Sequence, residues 1–170
     1  LGFEIITREL DVTKPENFKN FAGTLETKKT FPDVWINNAG IAFPEAFSES
    51  SPERFQKILD VNLNGVVHGT YAAFKLMQRK QSGTIVNIAS VSGHIPSPFL
   101  VSYSTSKHAI VGFTRSLQIE FALQSSPIKL CLVSPGFADT EITRANPAFS
   151  IPRILASSPT SVAKDIVNAV

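Results

Sequence analysis

Short apolar runs in this chain alternate with longer stretches in which apolar residues return every three or four positions, the signatures of buried strands and amphipathic helices. Phe3 to Leu10 reads as a strand, ended by Asp11-Val12-Thr13, and Pro15 then opens a helix with Phe18, Phe21 and Leu25 on its apolar face. Val34-Trp35-Ile36 is the next strand and breaks at Asn37-Asn38-Ala39-Gly40. A long helix is predicted from Pro52 to Arg79, with Phe55, Ile58, Leu59, Leu63, Val66, Val67 and Tyr71 on its apolar side. The run from Gly83 to Ala89 is short, apolar and rich in branched residues, as expected of a buried parallel strand. A helix from Tyr103 to Leu123, a strand from Ile128 to Val133 and the turn Pro135-Gly136 follow. The stretch from Thr140 to Ala156 mixes Pro, Asn and Ser with apolar residues and leads into a helix starting near Thr160.

Alternation of strand and helix predicts one α/β domain with a doubly wound, Rossmann-like parallel sheet. Four strands are visible where a dinucleotide fold needs about six, and the glycine turn that should follow the first of them is not in the sequence. The chain starts at Leu1-Gly2 without methionine, so the expectation is a partial domain lacking its first β-α-β unit and its extreme C-terminus. Within it, residues 1–139 are expected to form the sheet and catalytic portion, and 140–170 a substrate-loop region with its following helix.

Composition removes several classes of function. At 170 residues, 43% hydrophobic and 18% charged, the chain can bury one sizeable core. The net charge is +2, and the basic runs are pairs such as Lys28-Lys29 and Arg79-Lys80, which gives nucleic-acid binding no support. Apolar runs break before the roughly 18 residues of a membrane span, and no basic segment precedes an apolar one at the start, so a cytoplasmic location is expected. The single cysteine, Cys131, reads as a packed thiol in an interior strand and excludes a disulfide within the chain. His68, His94 and His108 lack metal-ligand spacing, so no metal is expected; His94, in a loop, either lines a pocket or is solvated.

The chemistry concentrates between Ile88 and Gln124. Ser90 stands at a strand's carboxyl end, where ligands bind in open α/β sheets, and Tyr103 and Lys107 are four apart at the start of a helical run. That spacing puts both side chains on one face, so the ammonium is expected to favour the ionised phenol and bring its pKa down from about 10 toward working pH. Such a phenol serves as acid or base.

With these residues in place, the chain resembles the classical short-chain dehydrogenase/reductase family over nearly its whole length. Asp11-Val12 looks like the family's adenine-contacting aspartate and its neighbour, and Asn37-Asn38-Ala39-Gly40 like the motif that supports the sheet and borders the cofactor. Asn62 matches the catalytic asparagine, and Ser90, Tyr103 and Lys107 the rest of the tetrad. Pro135-Gly136, with Phe137 and then Thr140, matches the segment that holds the nicotinamide. Each match has a plain structural reading: Asp11 as a helix cap before Pro15, Asn62 as a solvent-facing helix residue, Pro135-Gly136 as a common loop dipeptide. Their common order argues for the functional reading.

The resemblance implies hydride transfer between NAD or NADP and a secondary alcohol or ketone, the choice of cofactor being unreadable from this span. It assigns Tyr103 as acid or base, Ser90 as a hydrogen-bond partner of the reacting oxygen, Lys107 as holder of the nicotinamide ribose and Asn62 as anchor of a water next to that lysine. It also implies a homodimer or homotetramer through the helices 52–79 and 103–123, where Ala109 and Gly112 would permit close approach. Ile95, Pro96, Phe99, Phe137 and Phe149 fall near the expected pocket mouth and hint at an apolar substrate, with surface-loop packing an equally good account. The rival readings are a sugar-nucleotide epimerase or dehydratase of the extended branch and a catalytically silent dimerisation or binding module. Asn37 to Gly40 and the lack of a large carboxyl-terminal domain favour the classical branch.

Overall fold

Three parallel strands carry the molecule. In the computed structural model, which describes residues 5–136 and 157–169, β1 (Val34–Asn37), β2 (Gly83–Ile88) and β3 (Ile128–Val133) form a sheet of order β1-β2-β3. β2 is central, in register with β1 from Val34–Thr84 to Asn37–Asn87 and with β3 from Gly83–Ile128 to Ile88–Val133. Parallel neighbours require crossovers, and helices supply them. The helix α1 (Pro15–Thr27) precedes β1; α2 (Pro52–Leu59) and α3 (Gly65–Lys80) lie between β1 and β2. The long α4 (Val101–Leu123) connects β2 to β3, and α5 (Pro159–Asn168) ends the described chain. This is the expected doubly wound architecture.

The core sits between the sheet and the paired helices α3 and α4. Ala73 and Met77 of α3, Phe121 of α4, Ile85 and Ile128 form one buried cluster, with Trp35, Phe74, Leu117 and Leu130 packed against it. A second cluster nearer the strand ends joins Val66, Ala89, Ile110 and Val111. On the other face, Cys131 is in register with Val86 and its thiol lies 3.6 Å from the Ala169 carbonyl beyond α5.

A polar chain runs through this core. Trp35 Nε1 donates to Asn37 Oδ1 (2.8 Å), Asn37 Nδ2 to Asn87 Oδ1 (2.8 Å) and Thr70 Oγ1 (3.2 Å), and Asn87 Nδ2 to Thr114 Oγ1 (3.1 Å). Buried amides are tolerable only when paired, and here the pairing ties β1, β2, α3 and α4 into one register. Gly69 makes room for it: a Cβ there would stand 2.0 Å from Asn37 Oδ1.

Two expectations are corrected. Residues 5–10 of the predicted Phe3–Leu10 strand are not in a ladder, and Ile5 and Ile6 are 84% and 67% exposed. Alternating apolar residues extend a chain, but a strand also needs a neighbour to take its backbone groups, and no described strand pairs with this segment. The four expected strands are therefore three among the described residues. The predicted Pro52–Arg79 helix is interrupted at Asp60–Asn64 by a single wider turn with π-helical bonding. Within it Asn62 is fully buried and bonds out of the helix to the backbone of Ile41.

Candidate functional site

Ser90 leaves the end of β2 buried, and its Oγ accepts from Ser92 N at 3.2 Å, capping the short turn Val91–Gly93. That turn lies directly on α4, because a Cβ at Gly93 would meet the Lys107 carbonyl at 2.7 Å. The missing side chain is what lets the Ser90 loop approach Tyr103 and Lys107. The same loop is joined to the end of β3: Val91 N donates to the Pro135 carbonyl (2.9 Å), and His94 Nε2 lies 2.9 Å from Ser134 Oγ.

Tyr103 and Lys107 share a face of α4 as predicted, with the ammonium 5.6 Å from the centre of the phenol ring. Lys107 is buried, and Nζ donates to the Ile88 carbonyl at 2.9 Å. An ammonium has three protons, and this is its single acceptor among the described residues. The electrostatics run against the sequence expectation. Burial raises the Tyr103 phenol above its ordinary value, with a Ser90 hydrogen bond opposing, and burial takes the Lys107 ammonium down to about 8. A lysine that is neutral above that pH cannot stabilise a phenolate forming at higher pH, so spacing alone did not predict the sign.

Asn62 approaches from the π-turn. Its Oδ1 accepts from Ile41 N (2.8 Å), while Nδ2 donates to the Ile41 carbonyl (2.9 Å) and to Ser106 Oγ (3.1 Å). Ser106 immediately precedes Lys107, so the asparagine is tied to the helix that bears the other two groups. It does not face solvent. Ser106 and Ile41 were missed in the sequence, since a serine on a helix and a backbone amide carry no signal of their own; the misfit was Asn62, a poor helix former inside a helical pattern.

Four of the remaining positions, Asp11, Val12, Asn38 and Ala39, line two clefts. Asp11 and Thr13 line a wide opening of about 830 Å³ against α2 and the turn after it. Leu10, Val12, Asn38 and Ala39 line a smaller one of about 180 Å³ beside Trp35 and Gly65. Gly40 sits against Asn62, whose Oδ1 would be 3.5 Å from a Cβ there. Asp11 is not a helix cap: its carboxylate accepts from Thr13 N (3.0 Å) and Thr13 Oγ1 (2.7 Å), bonds that hold its pKa below the ordinary value. Lys14 occupies the cap position. Phe137, Thr140 and Phe149 lie outside the described residues. Among those described, no group of three metal-ligating side chains occurs and no helix is long and apolar enough to cross a membrane.

With this geometry established, comparison with known proteins is decisive. Residues 1–149 match the family model described as short chain dehydrogenase. The chain belongs to that family. An uncharacterized oxidoreductase of Staphylococcus saprophyticus is 36% identical over 137 residues, which cover 80% of this chain and 55% of that protein. A 3-oxoacyl-[acyl-carrier-protein] reductase of Synechocystis is 34% identical over 142 residues, covering 84% and 57%. Among solved structures, ElxO with NADP bound superposes with a TM-score of 0.80 at 30% identity, over 94% of this chain and 68% of ElxO. The chain thus spans a little over half the length of these two curated relatives.

Proposed function

We propose that the complete protein is an NAD- or NADP-dependent oxidoreductase that interconverts a secondary alcohol and a ketone, with Tyr103 as general acid or base. The single observation that carries this is the convergence of Ser90, Tyr103 and a buried Lys107 at the carboxyl end of the central strand, with Asn62 tied beside them through Ser106. The cofactor fits the donor set: a buried ammonium with one acceptor among the described residues has protons left for ribose hydroxyls. Lys107 and Tyr103 would hold the nicotinamide ribose, with Asn38, Ala39, Gly40, Pro135, Gly136, Phe137 and Thr140 bordering the ring side and Asp11 and Val12 the adenine side. When bound, the cofactor supplies or accepts the hydride.

The chain's own residues handle the proton and the charge. Ser90 donates to the substrate oxygen and stabilises the charge developing there, an effect commonly worth about 3 to 4 kcal/mol. Tyr103 gives that oxygen its proton in reduction and removes it in oxidation. Asn62, tied to Ser106 beside Lys107, would anchor a water that connects the lysine to solvent. The 170 residues contain no glycine-rich phosphate turn, so the activity is assigned to a protein that supplies one. The same reading includes a cytoplasmic homodimer or homotetramer with no nucleic-acid partner.

Deuteride transfer tests the reaction class. With the complete protein and NADPH or NADH deuterated at C4, deuterium is expected on the carbinol carbon of the alcohol formed from a ketone panel. Deuterium in no product with either cofactor overturns the proposal.

A further inference from the structure

Four residues other than glycine have positive φ among those described, and three of them end helices: Lys29 after α1, Gln81 after α3 and Ser125 after α4. Left-handed residues at helix ends are routine. Phe99, at φ +62°, is the exception. It ends no helix, it is a bulky aromatic for which this backbone region is strained, and its ring is not buried in recompense: the residue is 55% exposed.

Such a conformation persists only where surrounding bonds impose it, and those bonds are visible. The Phe99 carbonyl accepts from Glu45 N at 2.9 Å. The Glu45 side chain, 11% exposed, pairs with Arg54 on the first turn of α2, whose own amide is held by the Ser51 cap at 3.3 Å. Hydrogen bonding from Ser50, then Arg54, keeps the Glu45 carboxyl below its ordinary pKa, so this strap is charged throughout the neutral range. The following residue, Leu100, is buried, which fixes the other side of Phe99, and Tyr103 lies one helical turn further on. Ile95 (51% exposed) and Val101 (45% exposed) add apolar surface to the same stretch between the two reactive residues.

We propose that Phe99 is a specificity-determining residue, strapped by Glu45 and Arg54 to present its ring as an apolar wall for an aryl or similarly bulky apolar group of the substrate. This rests on the reading of Ser90 and Tyr103 as the reacting site and adds the substrate's chemical class. A wall that contacts the group beside the carbonyl favours a large flat apolar substituent over a methyl group through the area it removes from water.

Acetophenone and acetone are the probes, titrated calorimetrically into the complete protein with cofactor present. Wild type is expected to bind acetophenone at least about tenfold more tightly than acetone. Phe99→Asn, a residue that tolerates the left-handed region, should weaken acetophenone binding about tenfold with unchanged cofactor affinity and no fall in melting temperature. Phe99→Leu, which keeps an apolar wall, should stay within about threefold of wild type. Equal affinity of wild type for the two ketones, unchanged acetophenone binding in Phe99→Asn, or a loss of cofactor affinity matching the loss of ketone affinity would each overturn the proposal. Ring-dependent acetophenone binding without any deuteride transfer would uphold the wall and overturn the oxidoreductase reading instead.

Discussion

A buried lysine is costly to fold around, and Lys107 has one carbonyl as its acceptor among the described residues. Its folded pKa, about 8, lies below its ordinary 10.5. Below pH 8 the group is charged in both folded and unfolded states, and the folded state carries the full cost of burying the charge. Between about pH 8 and 10.5 the unfolded chain binds the proton that the folded one has released, so stability rises with pH across that window. The cost at pH 7 is on the order of 3 kcal/mol, and the bond to the Ile88 carbonyl returns about 1 to 2. Lys107→Met should therefore raise the melting temperature of the cofactor-free protein at pH 7 by a few degrees and flatten the rise between pH 8 and 10.5, while abolishing turnover. A fall in melting temperature at pH 7 would show that the ammonium supports the fold rather than burdening it.

At the scale of elements, the close approach of α3 to β1 makes a second prediction. Gly69→Ala puts a methyl group where Asn37 Oδ1 stands, so the amide must rotate out of its bonds to Trp35, Thr70 and Asn87. The expected loss is about 2 to 3 kcal/mol by chemical denaturation, whereas Gly23→Ala, with open space around it in α1, should be neutral or slightly stabilising. Equal effects at the two positions would mean that α3 shifts to absorb the methyl group. The elements legible in the sequence were those whose pattern is local: α1, β1, β2, α4 and β3 all lie within a few residues of their expected spans. Tyr103, Lys107 and Ser90 were legible for the same reason, through helical spacing and position at a strand end. The π-turn at Asn62, the amide chain through Asn87 and the Glu45 strap were not, because each depends on at least one partner 17 or more positions away in sequence. The segment 5–10 misled for the complementary reason, as its pattern is strand-like and its pairing is not local.

For the whole molecule, α3 and α4 cover one face of the sheet and leave Tyr71, Ile119 and Leu123 between 63% and 82% exposed. Ile119 and Leu123, four apart on α4, form an apolar stripe suited to a second copy of the chain. If the complete protein is the proposed homodimer or homotetramer and this stripe is its contact, changing both to Glu should halve the mass measured by light scattering, and an unchanged mass would contradict that contact. The central claim is that the four convergent residues form a hydride-transfer site in which Tyr103 moves the proton. Tyr103→Phe removes only the phenol oxygen, so its effect on single-turnover rate and on cofactor affinity in the complete protein tests that claim most directly. The account predicts a rate at least about a hundredfold lower with cofactor affinity within about twofold of wild type. A near-normal rate on a substrate that the wild type turns over would contradict it.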